Sequence, residues 1–317
     1  MWIISLAAAA DTEVCARFGS PEGPSEVIVD DLVGEIQSSG LAASQVDEGV
    51  YYTHDDQGGD ARLYLFRDDG DYIGAQTISG ATNTDWEDVA SGPCPNTVDA
   101  ETCLWIGDIG EAEGDRATLT LWVVPASTDA NEEAVACHLT WPEGKSHDAE
   151  ALLLWPDGTV RIVTKEDDGA KVYRAPNLRC DGGAAQEMIK EAELDLSEPV
   201  TGGAVSVDGS QVVLRGLTEA WLWTGCSVSW SDTPVSVDLG EQPQGEAITF
   251  ALDGALITTS EVSAEGEPLR WWRTPCEEVE VLACPTCGCG DAAGALVLLP
   301  LLGLTRRRAG AGRGTGA

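Results

Sequence analysis

The chain has 317 residues, with 54 Asp and Glu against 18 Lys and Arg, and a formal net charge of −36. Four of the basic residues (Arg306, Arg307, Arg308 and Arg313) lie in the last dozen positions, so the body is more acidic still. Such a surface repels nucleic acid and anionic lipid and gathers cations, which excludes DNA or RNA binding and argues against a polyphosphate held by basic side chains.

Eleven Trp against three Phe, with 36 Gly and 15 Pro, describe a turn-rich chain of short strands. Ten Cys, scattered singly except for a cluster near the C-terminus, read as disulfides in an oxidising compartment. The alternative is buried free thiols in a cytosolic protein. Cys94 and Cys103, nine apart in one loop, are expected to pair.

The first 14 residues, with an apolar run from Trp2 to Ala10, resemble a clipped secretory signal that lacks its basic start. From Glu26 a unit recurs every 43 to 63 residues. Each copy opens with an acidic or small polar pair and a short apolar run: SGLAAS from Ser39, TNTDWEDVASGP from Thr82, HDAEALLLWPDG from His147, TGGAVSVDG from Thr201 and QGEAITFALDG from Gln244. A second strand follows a turn (VYYTHDD, CLWIGDIGE, VRIVTKEDDG, QVVLRGL, ALITTSE), and a third carries aromatics (ARLYLFRDDG, ATLTLWVVPA, AKVYRAP, AWLWTG, PLRWWRTP). Outer strands are expected at GDYIGAQTI, EEAVACHLTW, QEMIKEAELDL and PVSVDLG. Gly-containing turns such as PDG, DDG, VDG and LDG supply the hairpins.

This pattern predicts an all-β fold, a five-bladed β-propeller over residues 26–283. The last unit has no outer strand of its own. The N-terminal EVIVDDLVGEI is expected to supply it and seal the ring, which removes two exposed edges. Six blades result if CEEVEVLAC contributes to another sheet.

Residues 284–317 form a separate tail: CPTCGCG, a 13-residue apolar run and an Arg cluster. The run contains Pro300 and is short against the roughly 20 residues that span a bilayer. The tail resembles the sorting tails of myxobacterial surface proteins. That resemblance implies processing at a Cys, transient membrane association through the tail, and an exported body at the cell surface or released. The competing reading is a small zinc site at Cys284, Cys287 and Cys289, with Cys276 as a fourth ligand.

In a propeller the first strands line a central channel, and loops at its mouth carry function. The motif carboxylates therefore converge: Asp85, Glu87 and Asp88 from one blade, Asp148 and Glu150 from the next, Glu246 from the last. Second-strand ends add Asp55, Asp108, Glu166 and Glu261, with Lys165 and Arg215 as counter-charges. Crowded like charges must be protonated, paired with a base, or shared by a hard cation. Three readings stay open: Ca2+ held by Asp85, Glu87, Asp88, Asp108, Asp148, Glu150 and Glu246; carboxylates capping backbone N–H groups around the channel; and a catalytic carboxylate pair.

Other machinery is sparse. No Gly-x-Ser-x-Gly elbow occurs, and His54, His138 and His147 are the three histidines, which leaves a serine-hydrolase triad poorly supported. His138 reads as a packed strand residue, while His54 and His147 adjoin motif acids and line either the channel or the surface. RDDGDYIG and KEDDGAK resemble calcium loops but lie between strands and read as hairpin turns. The recurrent Trp residues read as packing between blades rather than a sugar platform.

The segments THDDQGGDARLYLF, TNTDWEDVA, LWIGDIGEAEGDR, DAEALL, VTKE, VTGGAVSVDGSQVVLR and QGEAITF resemble a group of bacterial secreted propellers described as phytase-like or esterase-like. The likeness covers roughly residues 50 to 260. Two positions depart: Glu111-Ala112 stands where the family pattern has Asp-Asn, and Ala204 where it has Asp. If those carboxylates serve a central site, this copy lacks part of it. Two functions are therefore expected. One is a non-enzymatic surface module that binds a protein or small molecule at the channel mouth, with Ca2+. The other, implied by the resemblance, is a calcium-dependent phosphoester or ester hydrolase.

Overall fold

The computed structural model describes residues 10–27, 36–111, 114, 116–129, 131–167, 169–260 and 268–284. Five small antiparallel sheets stand in a ring as a five-bladed β-propeller. The inner strands are Ser38–Ala43, Trp86–Pro93, Ala149–Leu154, Gly202–Val205 and Gly245–Phe250, in blades 1 to 5. Each lies beside the inner strands of its two neighbours, so together they enclose the channel. The chain then runs outward through second strands (Val50–Asp55, Thr102–Asp108, Val160–Thr164, Gln211–Arg215, Leu256–Ser260) and third strands (Arg62–Arg67, Thr118–Pro125, Ala170–Ala175, Glu219–Thr224, Leu269–Thr274). The outer strands of blades 1 to 4 are Tyr72–Ser79, Val135–Thr140, Ile189–Leu194 and Val235–Asp238. This up-and-down order puts every motif at one end of the channel, the upper end. The turns from inner to second strand lie at the lower end.

Blade 5 takes its outer strand from the N-terminus, as expected. It is Glu22–Val27, a few residues earlier than the segment from Glu26, and it pairs antiparallel with Leu269–Thr274. CEEVEVLAC does not start a sixth blade. Cys276–Cys284 pairs with Ala10–Phe18 in a two-stranded ribbon, which takes in residues 10–14 of the stretch expected as a leader. The ribbon rests on the lower end of blade 4, where the Gln211 side chain bonds both the N–H and the carbonyl of Cys15.

Two of the expected outer strands each divide between blades. Around EEAVACHLTW, Asn131–Glu133, which takes in its first two residues, runs parallel to the outer strand of blade 1 as a fifth strand, and Val135–Thr140 serves blade 2. Gln186–Glu187 likewise adds to blade 2 while Ile189–Leu194 serves blade 3. Backbone N–H and C=O groups on an edge are left unpaired unless another strand meets them. The linker between blades is long enough to do so before it turns.

The core is divided among the interfaces between blades, one apolar cluster to each. Tryptophans pack in four of the five: Trp86 between blades 1 and 2, Trp105 and Trp141 between 2 and 3, Trp221 and Trp223 between 3 and 4, Trp271 between 5 and 1, while Phe250 lies between 4 and 5. Wide wedges between twisted sheets call for large flat side chains, which explains eleven Trp beside three Phe.

Among the described residues there are four disulfides: Cys94–Cys103 as expected, then Cys15–Cys276, Cys137–Cys180 and Cys226–Cys284. They fit an oxidising environment. They also remove the zinc reading of Cys284 and Cys276, because disulfide sulfurs are not available as thiolate ligands. Cys287 and Cys289 lie outside the described residues, as does the sorting tail from residue 285. Among the described residues no helix is long and apolar enough to cross a membrane.

Asp88 ties the inner strands together. Its carboxylate is fully buried and accepts the N–H groups of Val89 (2.8 Å) and Leu152 (2.8 Å), with those of Gly203 and Leu41 also bonded to it. Four blades thus meet at one side chain. Gly40 is required beside it, since a Cβ there would run into the His54 ring and the backbone of Asp88 and Val89. We expect Asp88→Asn to destabilise the fold by about 3 kcal/mol or more, because an amide nitrogen would face N–H donors that now share a carboxylate. Chemical denaturation of the variant beside Glu246→Gln, expected to lose less than about 1 kcal/mol at a partly exposed position, measures the difference.

Candidate functional site

At the upper end the channel opens into a cavity of about 410 Å3. Its wall holds Asp56 and Gln57 from blade 1, Asp85, Glu87 and Glu111 from blade 2, Asp148, Glu150 and Lys165 from blade 3, and Gln244 and Glu246 from blade 5, with Ser39 at its side. Seven carboxylates face one lysine.

Each is placed by its strand. Glu87 belongs to the inner strand of blade 2, where the register slips between Trp86 and Asp88, so it turns to the cavity while Asp88 faces into the barrel of inner strands. A similar slip between Ala149 and Ala151 turns Glu150 inward from blade 3. The Ser39 hydroxyl donates to a Glu87 carboxylate oxygen at 3.1 Å. The Lys165 ammonium bonds Glu150 at 2.7 Å. Gly110 keeps the wall open, since a Cβ there would collide with the carboxylates of Glu87 and Asp85.

Burial governs the electrostatics. It drives the Glu87 carboxyl well above its ordinary range, with the charge of Glu150 adding to the effect. Burial also pushes Glu150 up to about 7, against the pull of Lys165. Asp148 is raised by burial too. Burial alone would lower the Lys165 ammonium, but the charge and hydrogen bond of Glu150 outweigh it and hold the group above its ordinary value. Carboxylates in such a place need either protons or a cation.

Two groups have the geometry of a metal site. Oxygens of Asp56, Asp85 and Glu87 lie within 4.8 Å of one another, and so do those of Glu87, Asp148 and Glu150. An all-oxygen set of carboxylates, with Gln57 and Gln244 amides and water within reach, suits a hard divalent cation rather than zinc or copper.

Of the residues singled out in the sequence, Asp85, Glu87, Asp148, Glu150, Glu246 and Lys165 meet here. The others do different work. Asp88 is the buried acceptor described above, and it is driven well above the ordinary range by burial despite its backbone hydrogen bonds. Asp108 pairs with Arg116 at 2.6 Å and accepts the Asp85 N–H at 3.1 Å, which positions Asp85 from behind. Arg215 is not in the cavity wall: it is wholly buried, donates to the carbonyls of Gly216, Ala247 and Thr259 and to Gln242, and is lowered to about 10 by burial, with the charge of Glu246 pulling the other way. Its guanidinium joins blades 4 and 5.

Asp55 accepts from Tyr64 (2.7 Å) and from the Gln37 N–H (3.1 Å), and burial raises its carboxyl. Glu166 contacts Lys171 and His147 outside the cavity wall. His54 is fully buried, lowered to about 4 by burial, and packs edge-on against Trp86 rather than lining the channel. His147 is half-buried between Trp141 and Tyr173, and His138 bonds Thr120 on its sheet. Glu261 lies outside the described residues.

Asp56, Gln57, Glu111, Ser39 and Gln244 escaped the sequence reading. Asp56 is the residue just past the strand end, where alternation no longer tells which side a carboxylate faces. The two family departures also gain meaning. Glu111 keeps a carboxylate in the wall, while Ala204 lines a separate lower cavity of about 30 Å3.

No family model matches the chain, and no curated protein matches it. Solved structures that resemble it include the PQQ-bound form of an aldose sugar dehydrogenase from Streptomyces coelicolor, at 11% identity and TM-score 0.46, covering 86% of this chain and 99% of that one. A luciferin-regenerating enzyme is similar at 10% identity and TM-score 0.44, over 81% of this chain and 97% of that one. A glucose dehydrogenase is similar at 11% identity and TM-score 0.46, over 80% and 99%. Likeness at this level says nothing of chemistry. The site must be read from its own residues.

Raised carboxyl groups carry a defined pH signature. A group whose value is higher folded than unfolded stabilises fully below its unfolded value, and that stability is lost as pH rises through the folded value. For Glu150 the window runs from the ordinary 4.5 to about 7. With chelator present, thermal stability should therefore fall from pH 4.5 to beyond pH 7. A Glu150→Gln variant should flatten that slope, as followed by circular dichroism melts.

Proposed function

We propose that this chain is an exported cell-surface propeller whose acidic channel mouth binds a divalent cation, Ca2+ by its donor chemistry, and presents the occupied cavity to a ligand. The observation that carries this reading is the double cluster sharing Glu87: Asp56, Asp85 and Glu87 on one side, Asp148 and Glu150 on the other. Four disulfides and the leader-like N-terminus support export. The −36 charge supports cation capture at the mouth.

Asp56, Asp85 and Glu87 would hold the cation on blades 1 and 2, with Asp148 and Glu150 completing the set from blade 3. Bound there, a cation would supply positive charge to the carboxylates and an electrophilic point for an oxygen ligand. Lys165 stands in the same wall and offers a positive group to an anionic part of that ligand.

One observation favours hydrolysis as a second reading. The cavity is open and holds together a cation site, a lysine and Glu150, a carboxyl near 7 and so suited to move a proton at neutral pH. This is the arrangement that a metal-dependent hydrolase needs. On that reading Glu150 activates water and Lys165 orients the ester.

Calcium at ~100 times its dissociation constant should stabilise the chain by about 2.7 kcal/mol, a shift of a few degrees, and chelator should reverse it. Asp85→Asn with Glu87→Gln should abolish the shift; an unchanged shift would place the cation elsewhere. Under the second reading, turnover of p-nitrophenyl phosphate or acetate with calcium should fall about 100-fold or more in Glu150→Gln. Calcium binding without any turnover leaves the binding module as the function.

A further inference from the structure

We propose that the lower end of the propeller is the docking face for the chain's own C-terminal segment, residues 292–313. This inference is independent of the cation site. It starts from a difference between the two ends of the channel. Among the described residues, every exposed large apolar side chain except Leu217 lies in a lower turn, at the lower end of an outer strand, or on the terminal ribbon. Val46, Val207 and Leu252 occupy the turns between inner and second strands of blades 1, 4 and 5, at 59%, 48% and 46% exposure. Val207 and Leu252 also line the small lower cavity with Leu154 and Phe250. That cavity holds about one water, so a partner must lie across the rim rather than enter it. Apolar side chains gathered on one end of so acidic a protein mark a contact surface.

Three observations point to the same occupant. First, the chain leaves the body at this end. Cys284 closes the ribbon and is bonded to Cys226, in the lower loop between the third and outer strands of blade 4. Second, the length suits. Seven residues, 285–291, separate Cys284 from the apolar run, and such a link spans up to about 25 Å. A tether this short keeps the run at high local concentration beside the rim. Third, the charges match. The rim turns carry exposed Asp47, Glu48 and Asp208 next to their apolar residues. The segment AAGALVLLPLLGL is followed by Arg306, Arg307, Arg308 and Arg313. Apolar meets apolar and basic meets acidic in one piece of chain. An anionic bilayer would offer the apolar surface with the wrong sign of charge.

Docked in this way, the segment shields the apolar rim for as long as it remains attached, and its removal exposes the rim. Hydrogen–deuterium exchange on the full chain tests this, against a variant altered only in the segment: Val297→Asp, Leu301→Asp, Arg306→Glu, Arg307→Glu and Arg308→Glu. Amides of the lower turns at 45–49, 206–209 and 252–254 should exchange roughly tenfold faster in the variant, with the upper turn at 216–218 unchanged. Conversely, Val207→Asp with Leu252→Asp should speed tryptic cleavage at Arg306–Arg308 by a similar factor without changing the melt. Equal exchange in the two full chains would overturn the proposal. So would protection that grows with protein concentration, which assigns the face to a second copy. Protection seen only with phosphatidylcholine vesicles would assign it to lipid and overturn docking on the chain itself.

Discussion

The ring depends on one buried carboxylate. Inner strands of a propeller meet around an axis where each has spare N–H groups facing its neighbours, and those groups cannot be left unpaired away from water. Asp88 gathers N–H groups from blades 1, 2, 3 and 4. A backbone carbonyl could not do this, because it belongs to one strand and is spent in its own sheet. A short, planar acceptor with four lone-pair sites can. The close approach it demands explains Gly40 in blade 1, and the small residues Gly202 and Gly203 in the blade 4 motif stand at the same crowded axis.

With the axis closed in its middle, the two ends of the channel become separate environments. The upper one collects charge. Among the described residues seven carboxylates share its wall with one lysine, and burial raises the cost of their charge. Under the proposed function, the mouth that holds protons at low pH would hold a cation at higher pH. The residues behind it hold its wall in place: Asp108, paired with Arg116, accepts the Asp85 N–H, and Ser39 donates to Glu87. The lower end collects apolar turns instead.

Much of this was legible in the residues. The repeat placed all five inner strands and their order, because an acidic or small polar pair ahead of a short apolar run recurs in every blade. Tryptophan usage predicted wedge-shaped packing between blades. What could not be read was side-chain direction around irregular register. Glu87 and Asp88 are neighbours, yet a bulge turns one to the cavity wall and the other into the core. Arg215 looked like a counter-charge by proximity in sequence to the motif, but its strand points it between blades among carbonyls. Fifth strands were also hidden, since nothing in EEAVACHLTW shows that its first two residues lie on the preceding sheet. Edge pairing is decided by what lies nearby in space.

The Cys226–Cys284 bridge gives the molecule a mechanical property. If the C-terminal segment is held at a surface, a pull on the body arrives first at Cys284. From there the load passes through a covalent bond into blade 4, a blade with four paired strands of its own. The rest runs back along the ribbon to Cys276, where the Cys15–Cys276 bridge ties it to the segment that leads into the N-terminal strand of blade 5. The seam of the ring is thereby spanned by a covalent bond as well as by hydrogen bonds. A propeller anchored in this way can bear tension at its tether without being unzipped at its closure.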